Sequence, residues 1–168
     1  MRWIWIDRFV DFRPGEKAVS VKNVSFAEEP FGEHFPDWPI FPAALMLEGL
    51  AQTGGILIGE ARDFKEKVVL AKITSAAFTR EAVAGDVLTY TATIIVLRDE
   101  GASVRGTVEV RGEKIGEAEI FFAHLDANRS GTMFGDHNFV FSGELKYLLG
   151  LARKANPRPE PEGTISAG

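Results

Sequence analysis

Residues 42–58, PAALMLEGLAQTGGILI, form an uninterrupted helical stretch that is apolar on every side. A helix with this pattern is either buried in the centre of a protein or inserted in a membrane. A length of ~17 residues is at the lower limit for crossing a bilayer, and the stretch contains Glu48, Gln52 and interior glycines. We therefore expect a buried central helix that begins at Pro42 and is approached closely by a sheet at its glycines.

Runs of strand-like sequence surround this helix. Four follow it, at residues 68–78, 87–97, 102–110 and 115–124, and turn sequences separate them at residues 84–86, 99–101 and 112–113. Two precede it, at residues 3–10 and at the alternating Val19 and Val21, with a Pro14-Gly15 turn between them. Consecutive strands joined by short turns favour an antiparallel sheet. We predict an α+β domain over residues 1–125, with the sheet curled around the one long helix.

Residues 126–168 differ in character from the part before them. Residues 128–136 are Gly-rich and polar, and Ser142 is a candidate cap for a short helix. The apolar positions of that helix would share one side, and they are Leu145, Leu148, Leu149 and Ala152. The final PRPEPEGTISAG is expected to be disordered. We interpret residues 126–168 as a C-terminal extension of the domain.

Glu48 is the unusual residue of the apolar helix. An unpaired carboxylate is costly to bury, so it should find a basic partner or take up a proton and become a general acid. His34 lies in residues 31–42, which prolines stiffen and for which we expect neither helix nor central strand. An imidazole there can act as a base, and the first helical amides can bind a developing oxyanion. A structural ion pair of Glu48 remains the alternative.

The segment EHFPDWPIFPAALMLEGLAQ, residues 33–52, closely resembles the active-site segment of the hot-dog-fold 3-hydroxyacyl-(acyl carrier protein) dehydratases. The family pattern is roughly G-H-F-P-x-x-P-x-M-P-G-V-x-x-x-E-x-x-A-Q. The matching residues are His34, Pro36, Pro39, Pro42, Glu48, Ala51 and Gln52. The similarity extends outward over residues 1–124. It implies the hot-dog fold, in which an antiparallel sheet wraps around one long central helix.

The resemblance also implies an activity. The family dehydrates a (3R)-3-hydroxyacyl thioester of acyl carrier protein to the trans-2-enoyl thioester in fatty-acid biosynthesis. His34 would be the base that removes the α-proton, and Glu48 would be the acid that protonates the departing hydroxyl. The amide of Ala43 would bind the thioester carbonyl, and the carbonyl of Ile40 would orient the imidazole. No metal or organic cofactor is implied, and glutamate at position 48 resembles the branch that does not isomerise the double bond.

Three further residues complete the predicted substrate contacts. Phe41 and Phe78 suit an apolar acyl slot, with plain core packing as the alternative. Gln52, one helical turn beyond Glu48, is spaced to hydrogen-bond that carboxylate and hold its orientation. The resemblance implies a homodimer whose sites lie at the subunit interface, with His34 facing the partner's Glu48. It leaves open the acyl chain length, assembly into a trimer of dimers, and which carrier protein is used.

Two positions depart from the family pattern. Ala43 replaces a glycine, and this would strain the oxyanion hole if the position required a positive φ. Glu33 replaces the glycine before His34, where a carboxylate would change the surroundings of the imidazole. Two alternatives therefore stay open. One is a hot-dog acyl thioesterase in which Glu48 activates water, and the other is a catalytically silent acyl-binding protein.

Composition excludes several other functions. The chain has no cysteine, which excludes a thiolate nucleophile and Cys-ligated metal centres. Its net charge of −5 argues against nucleic-acid binding. The first residues contain too short an apolar run for a signal peptide, so we expect a cytoplasmic location without membrane insertion. We interpret His124 as a surface or hinge residue, His137 as a residue of the tail, and Trp3 and Trp5 as packing residues.

Overall fold

The computed structural model describes residues 3–33, 37–125 and 143–155. Within these ranges two strands precede a long helix and four strands follow it, as the sequence predicts. The elements are β1 (Arg8–Arg13), β2 (Lys17–Asn23), α1 (Glu29–Glu33), α2 (Ala43–Ala61), β3 (Lys67–Phe78), β4 (Val87–Leu97), β5 (Gly101–Val110), β6 (Glu113–Leu125) and α3 (Gly143–Ala155).

The strands form a single antiparallel sheet in the order β1-β2-β4-β5-β6-β3. The α2 helix lies against β2, β3, β4, β5 and β6, so the sheet curves around it. Its middle and C-terminal part, residues 49–59, is buried throughout. The predicted α+β architecture, an antiparallel sheet wrapped around one long helix, is confirmed.

The boundaries of α2 differ slightly from the prediction. Pro42 is the N-cap rather than the first helical residue, and the helix continues to Ala61 instead of ending near residue 58. It stops where Asp63 and Phe64 adopt left-handed φ values of 53° and 54°. Neither residue is a glycine, so the sequence contains no clear stop signal there. No helix in the described part of the chain is long and apolar enough to cross a membrane.

The proline-rich segment contains a helix that we did not predict. The sequence predicts neither helix nor central strand over residues 31–42, yet α1 occupies Glu29–Glu33. The prediction was wrong because Pro30 lies in the first turn, where a helix makes no use of the amide that proline lacks. Phe31 is buried and packs this short helix onto the core.

The α3 helix lies within the segment for which a short helix is predicted. Leu145 and Leu149 are buried in the same core as the sheet and α2. At the other end of α3, Arg153 forms an ion pair with Glu60 of α2. The extension therefore packs onto the domain through this helix. The predicted cap Ser142, the polar residues 128–136 and the Pro-rich end lie outside the described residues.

Gly49 allows α2 to approach the sheet, as predicted for the glycines of this helix. A Cβ atom at Gly49 would lie 2.4 Å from the Tyr90 ring, which is fully buried on β4. Gly150 in α3 is the opposite case, because a Cβ atom there would meet no other atom within 4 Å.

We expect Gly49→Ala to destabilise the protein. Overpacking against the Tyr90 ring should lower the free energy of unfolding by about 1–3 kcal/mol. Gly150→Ala should instead raise the free energy of unfolding by up to ~1 kcal/mol, because alanine is the better helix former. Chemical denaturation of both variants checks this pair. Equal stability of the two would show that α2 can shift away from the sheet at no cost.

Candidate active site

Glu48 lies near the N-terminal end of α2, where the helix emerges from the sheet. The side of α2 formed by Ala44, Leu45, Leu47 and Glu48 is exposed or half-buried, whereas the helix from Gly49 onward is enclosed. The prediction of a fully buried Glu48 is therefore wrong for the single chain. The sheet covers only part of this first stretch of the helix, so Glu48 faces an open surface.

Gln52 connects Glu48 to the N-terminal residues of the described chain. Its Nε2 donates hydrogen bonds to Glu48 Oε1 at 3.0 Å and to the carbonyl oxygen of Trp3 at 3.1 Å. Its Oε1 accepts a hydrogen bond from the Trp5 amide at 2.8 Å. The hydrogen bond predicted between Gln52 and Glu48 is present. Because Gln52 is itself buried, these bonds fix the orientation of one carboxylate oxygen of Glu48.

The first turn of α2 presents backbone amides beside Glu48. Ala43 is the first residue of the helix, and the N-cap Pro42 makes no side-chain hydrogen bond to it. The amides of Leu45 and Met46 donate to the Pro42 carbonyl oxygen, whereas the Ala43 amide precedes any acceptor of the helix and is available to an external oxygen. The described non-glycine residues with positive φ do not include Ala43. Alanine in place of the family's glycine therefore brings no backbone strain.

Ile40 lines an open cleft of about 420 Å³ just before α2. The cleft is mainly apolar, and its lining residues are Phe26, Trp38, Pro39, Ile40, Glu81, Val83 and Ala84. Phe26 and Trp38 are largely exposed there. An apolar cleft of this size next to a helix N-terminus is suited to part of an acyl thioester.

The two predicted aromatic contacts, Phe41 and Phe78, lie in different places. Phe41 is fully buried, its amide donates to the Ala82 carbonyl at 2.7 Å, and its ring meets Trp5 edge-on at 5.7 Å. Phe78 is half-buried at the end of β3, with its ring over Gly116 of β6. Phe41 thus belongs to the core beside the cleft, and Phe78 lies on the sheet at the end of the edge strand.

His34 lies outside the described residues, as do Phe35 and Pro36. The described chain ends at Glu33 on one side of the histidine and resumes at Asp37 on the other. The structure thus presents the acid, its Gln52 partner and the amide donors of the predicted site. The place of the base stays a prediction from sequence.

His124 corrects another expectation. We interpreted it as a surface or hinge residue, but its side chain is only 2% exposed. Its Nδ1 lies 3.3 Å from Glu66 Oε2 and 3.2 Å from the Asp99 carbonyl oxygen. A carboxylate and a carbonyl thus enclose the ring beside the loop that follows α2, away from Glu48. His137 lies outside the described residues.

Two buried polar residues on the sheet were not predicted. Lys22 is 8% exposed and lies on the face of β2 that packs toward α2. Tyr90 lies on β4 opposite Ser20, and burial, with added effects of the Asp7 and Glu28 carboxylates, raises the pKa of its phenol far above the usual value. Tyr90 is therefore protonated at any physiological pH. The only sequence signal for Lys22 was its alternation with Ala18 and Ser20, which does not predict burial of a cation.

Comparison with protein families gives a match over most of the domain. The model of the FabA-like domain matches residues 3–119. The matched range includes β1 to β5, both α1 and α2, and the first half of β6. It does not include α3.

Two curated relatives illustrate the similarity. The 3-hydroxyacyl-[acyl-carrier-protein] dehydratase FabZ of Clostridium acetobutylicum is 41% identical over 118 residues, which cover 70% of this chain and 84% of that protein. The protein of the same name from Ruminiclostridium cellulolyticum is 38% identical over 126 residues, or 74% of this chain and 89% of that one.

Solved structures support the fold alone, because their sequence identities are low. The dehydratase heterocomplex ApeI:P from Xenorhabdus doucetiae has a chain that superposes with a TM-score of 0.66 at 12% identity, covering 80% of this chain and 91% of that chain. A Streptococcus mutans protein, smu.793, solved with acetyl CoA gives a TM-score of 0.58 at 13% identity, with 70% and 87% covered. The predicted hot-dog fold is confirmed.

Proposed function

The chain belongs to the family of FabA-like domains, and on that basis we propose that it is a 3-hydroxyacyl-(acyl carrier protein) dehydratase of fatty-acid biosynthesis. The match to the FabA-like domain spans the whole of α2, which carries Glu48 and Gln52. The observation that carries the proposal is the hydrogen bond between these two side chains at the open end of α2. This bond holds the Glu48 carboxyl group in one orientation, on the same helix whose first amide, that of Ala43, is available to a substrate oxygen.

The proposed reaction assigns one role to each group. His34 removes the α-proton of the (3R)-3-hydroxyacyl thioester, and Glu48 donates a proton to the 3-hydroxyl, which leaves as water. The electron pair of the broken Cα–H bond forms the trans-2 double bond, and the electron pair of the C3–O bond leaves with the oxygen as water. The Ala43 amide donates a hydrogen bond to the thioester carbonyl, where negative charge develops after proton removal. The carbonyl of Ile40 orients the His34 imidazole, and no cofactor takes part.

The remaining predicted residues are proposed to shape the substrate path. Ile40 belongs to the apolar cleft, which is large enough for part of a thioester-linked chain. Phe41 lies in the core behind the cleft. Phe78 is the last residue of β3, and some of the residues that follow it, within 79–86, line the same cleft. Gln52 orients Glu48 and does not contact the acyl chain of the substrate.

We propose a homodimer in which β3 meets β3 of a second copy. The β3 strand lies at the edge of the sheet, and its residues 71–77 are exposed on both faces. An uncovered edge strand that carries exposed Ile73 is a template for pairing with another strand. Such pairing would also cover the open side of α2 near Glu48 and bring the partner's His34 to it.

The remaining assignments follow from the same proposal. The partner is acyl carrier protein bearing the 3-hydroxyacyl thioester, and the protein is cytoplasmic. Residues 1–125 form the catalytic domain, and residues 126–168 are an extension attached through α3.

A direct assay with the wild-type protein tests the function. Purified protein should interconvert 3-hydroxyacyl and trans-2-enoyl thioesters of acyl carrier protein, monitored by enoyl absorbance and by mass spectrometry. The fold is also compatible with thioester hydrolysis, so free thiol is measured in the same reactions. Release of thiol without enoyl product would replace the proposal by a thioesterase. Bound acyl thioester without any turnover would indicate a silent acyl-binding protein.

A further inference from the structure

A buried ammonium group at Lys22 joins two separate parts of the chain. Its Nζ donates to Glu28 Oε1 at 2.6 Å and to the Asn23 carbonyl oxygen at 2.9 Å, and it lies 3.5 Å from Asp7 Oδ1. An ammonium group has three protons, and three oxygen atoms surround this one. Lys22 is 8% exposed and the Glu28 side chain 18%, so water contributes little to holding the Glu28 carboxylate, whereas the Asp7 side chain is 38% exposed.

On one side, Lys22 holds residues 3–7, which we call the N-terminal segment. Asp7 Oδ2 accepts hydrogen bonds from the Asn23 amide at 2.6 Å and from Asn23 Nδ2 at 2.9 Å. The Asp7 amide donates to the Val21 carbonyl at 2.7 Å. These bonds fix the C-terminal end of the N-terminal segment to β2.

The other end of the N-terminal segment is connected through Gln52 to Glu48, the proposed acid. The Trp5 amide and the Trp3 carbonyl bind the two ends of the Gln52 carboxamide, and Gln52 in turn donates to Glu48. The Trp5 ring is buried against Phe41, so the segment is also packed from the side. A displacement of Asp7 would be transmitted along the segment to Gln52, and from there to Glu48.

On its second side, Lys22 holds the start of α1. Glu28 Oε1 also accepts the Ser25 amide at 3.2 Å, and Glu28 immediately precedes α1. Its other oxygen, Oε2, is buried and has no hydrogen-bond partner among the described residues. This carboxylate therefore depends on the Lys22 ammonium for compensation of its charge. The chain continues from α1 directly to residue 34.

We propose that Lys22 is a positioning residue for the dehydration. It ties the N-terminal segment, which orients Gln52 and Glu48, to the start of α1. The inference rests on the proposed function of the site. Lys22 touches neither the substrate nor the reacting atoms. It acts through Asp7 and Glu28, and its loss leaves two carboxylates close together, with the charge of the largely buried Glu28 uncompensated.

Lys22→Met tests this inference, with Lys114→Met as the matched control. Lys114 also pairs with a glutamate, Glu117, at 2.7 Å, but its side chain is 55% exposed. With a trans-2-enoyl thioester of N-acetylcysteamine, assayed well below the unfolding temperature, kcat of Lys22→Met should fall ~10-fold or more while KM stays within about threefold. Lys114→Met should keep both constants within about twofold of the wild-type values.

Glu28→Gln provides the second variant, because loss of the buried cation in Lys22→Met could prevent folding. The amide keeps the size of the side chain and removes the charge from the Lys22 pair. Its kcat should fall about threefold to tenfold, again without a matching change in KM. Circular dichroism and size-exclusion chromatography establish that each variant is folded.

The outcomes separate this inference from the proposed function. A wild-type protein without hydratase or dehydratase turnover refutes the function. An active wild type with a folded Lys22→Met or Glu28→Gln variant at full kcat refutes the positioning role alone. A lower melting temperature with unchanged kcat at the assay temperature has the same meaning, because Lys22 would then only stabilise the fold.

Discussion

Glu48→Gln should lower kcat for the dehydration at least ~10²-fold, the usual loss when a positioned acid or base is removed. Glutamine keeps the size of the side chain and can still hydrogen-bond to Gln52, which holds Glu48 Oε1 at 3.0 Å in the native protein. An amide cannot deliver a proton to the departing hydroxyl. The variant should therefore bind substrate normally and fail at the chemical step, which steady-state kinetics with KM and kcat determined separately will show.

Glu60→Gln is the matched control for this prediction. Glu60 lies on the same helix, three turns further on, and its carboxylate pairs with Arg153 of α3. Its replacement changes a carboxylate of α2 without touching the proposed site, so kcat should stay within about twofold of the wild-type value. If Glu48→Gln retained full kcat, Glu48 could not be the acid and the assignment of roles would fail.

Mixing two inactive variants should restore activity. His34→Ala and Glu48→Gln subunits, combined under conditions that exchange subunits, should recover about one quarter of the wild-type rate from a background near zero. Half of the dimers are then mixed, and each mixed dimer carries one intact site built from the His34 of one chain and the partner's Glu48. The exposed edge of β3 is the surface through which we expect these subunits to pair.

The control for the mixing experiment uses a double variant. Glu48→Gln mixed with the His34→Ala, Glu48→Gln double variant forms the same kinds of dimer but contains no intact Glu48, so no activity should return. Differently tagged subunits verify that mixed dimers form. Mixed dimers without recovered activity would mean that His34 and Glu48 act within one chain, and a monomeric wild type would contradict the proposed assembly.

Local patterns predicted most of the fold. The strands β3 to β6 lie within two residues of their predicted bounds, because alternation and turn residues act over a few neighbours along the chain. The β5–β6 turn is an example, with Arg111 and Gly112 at φ values of 53° and 81° where the sequence contains Gly112. The errors occurred at the first strand, predicted at residues 3–10 but found at Arg8–Arg13, at α1 and at the end of α2, where packing rather than local preference decides.

The candidate site was predicted only in part. The spacing of Glu48 and Gln52, one helical turn apart, was sufficient to predict their hydrogen bond. The extent of burial of Glu48 was not predictable in this way, because it depends on how far the sheet reaches along α2. Nor was the buried state of His124, which results from contacts with Glu66 and with the carbonyl of Asp99.

The sequence by itself determined the central helix, the antiparallel sheet around it and the carboxylate of Glu48 within the apolar part of that helix. These follow from the order and spacing of apolar, polar and turn residues, and such information is contained in short stretches of chain. Only the tertiary structure decided that Lys22 is buried between Asp7 and Glu28, and that Trp3 and Trp5 hold Gln52 through their backbone. The Gln52 bonds join residues 47 and 49 positions apart in sequence, and a hydrogen bond between such distant residues exists only after the sheet has closed around the helix.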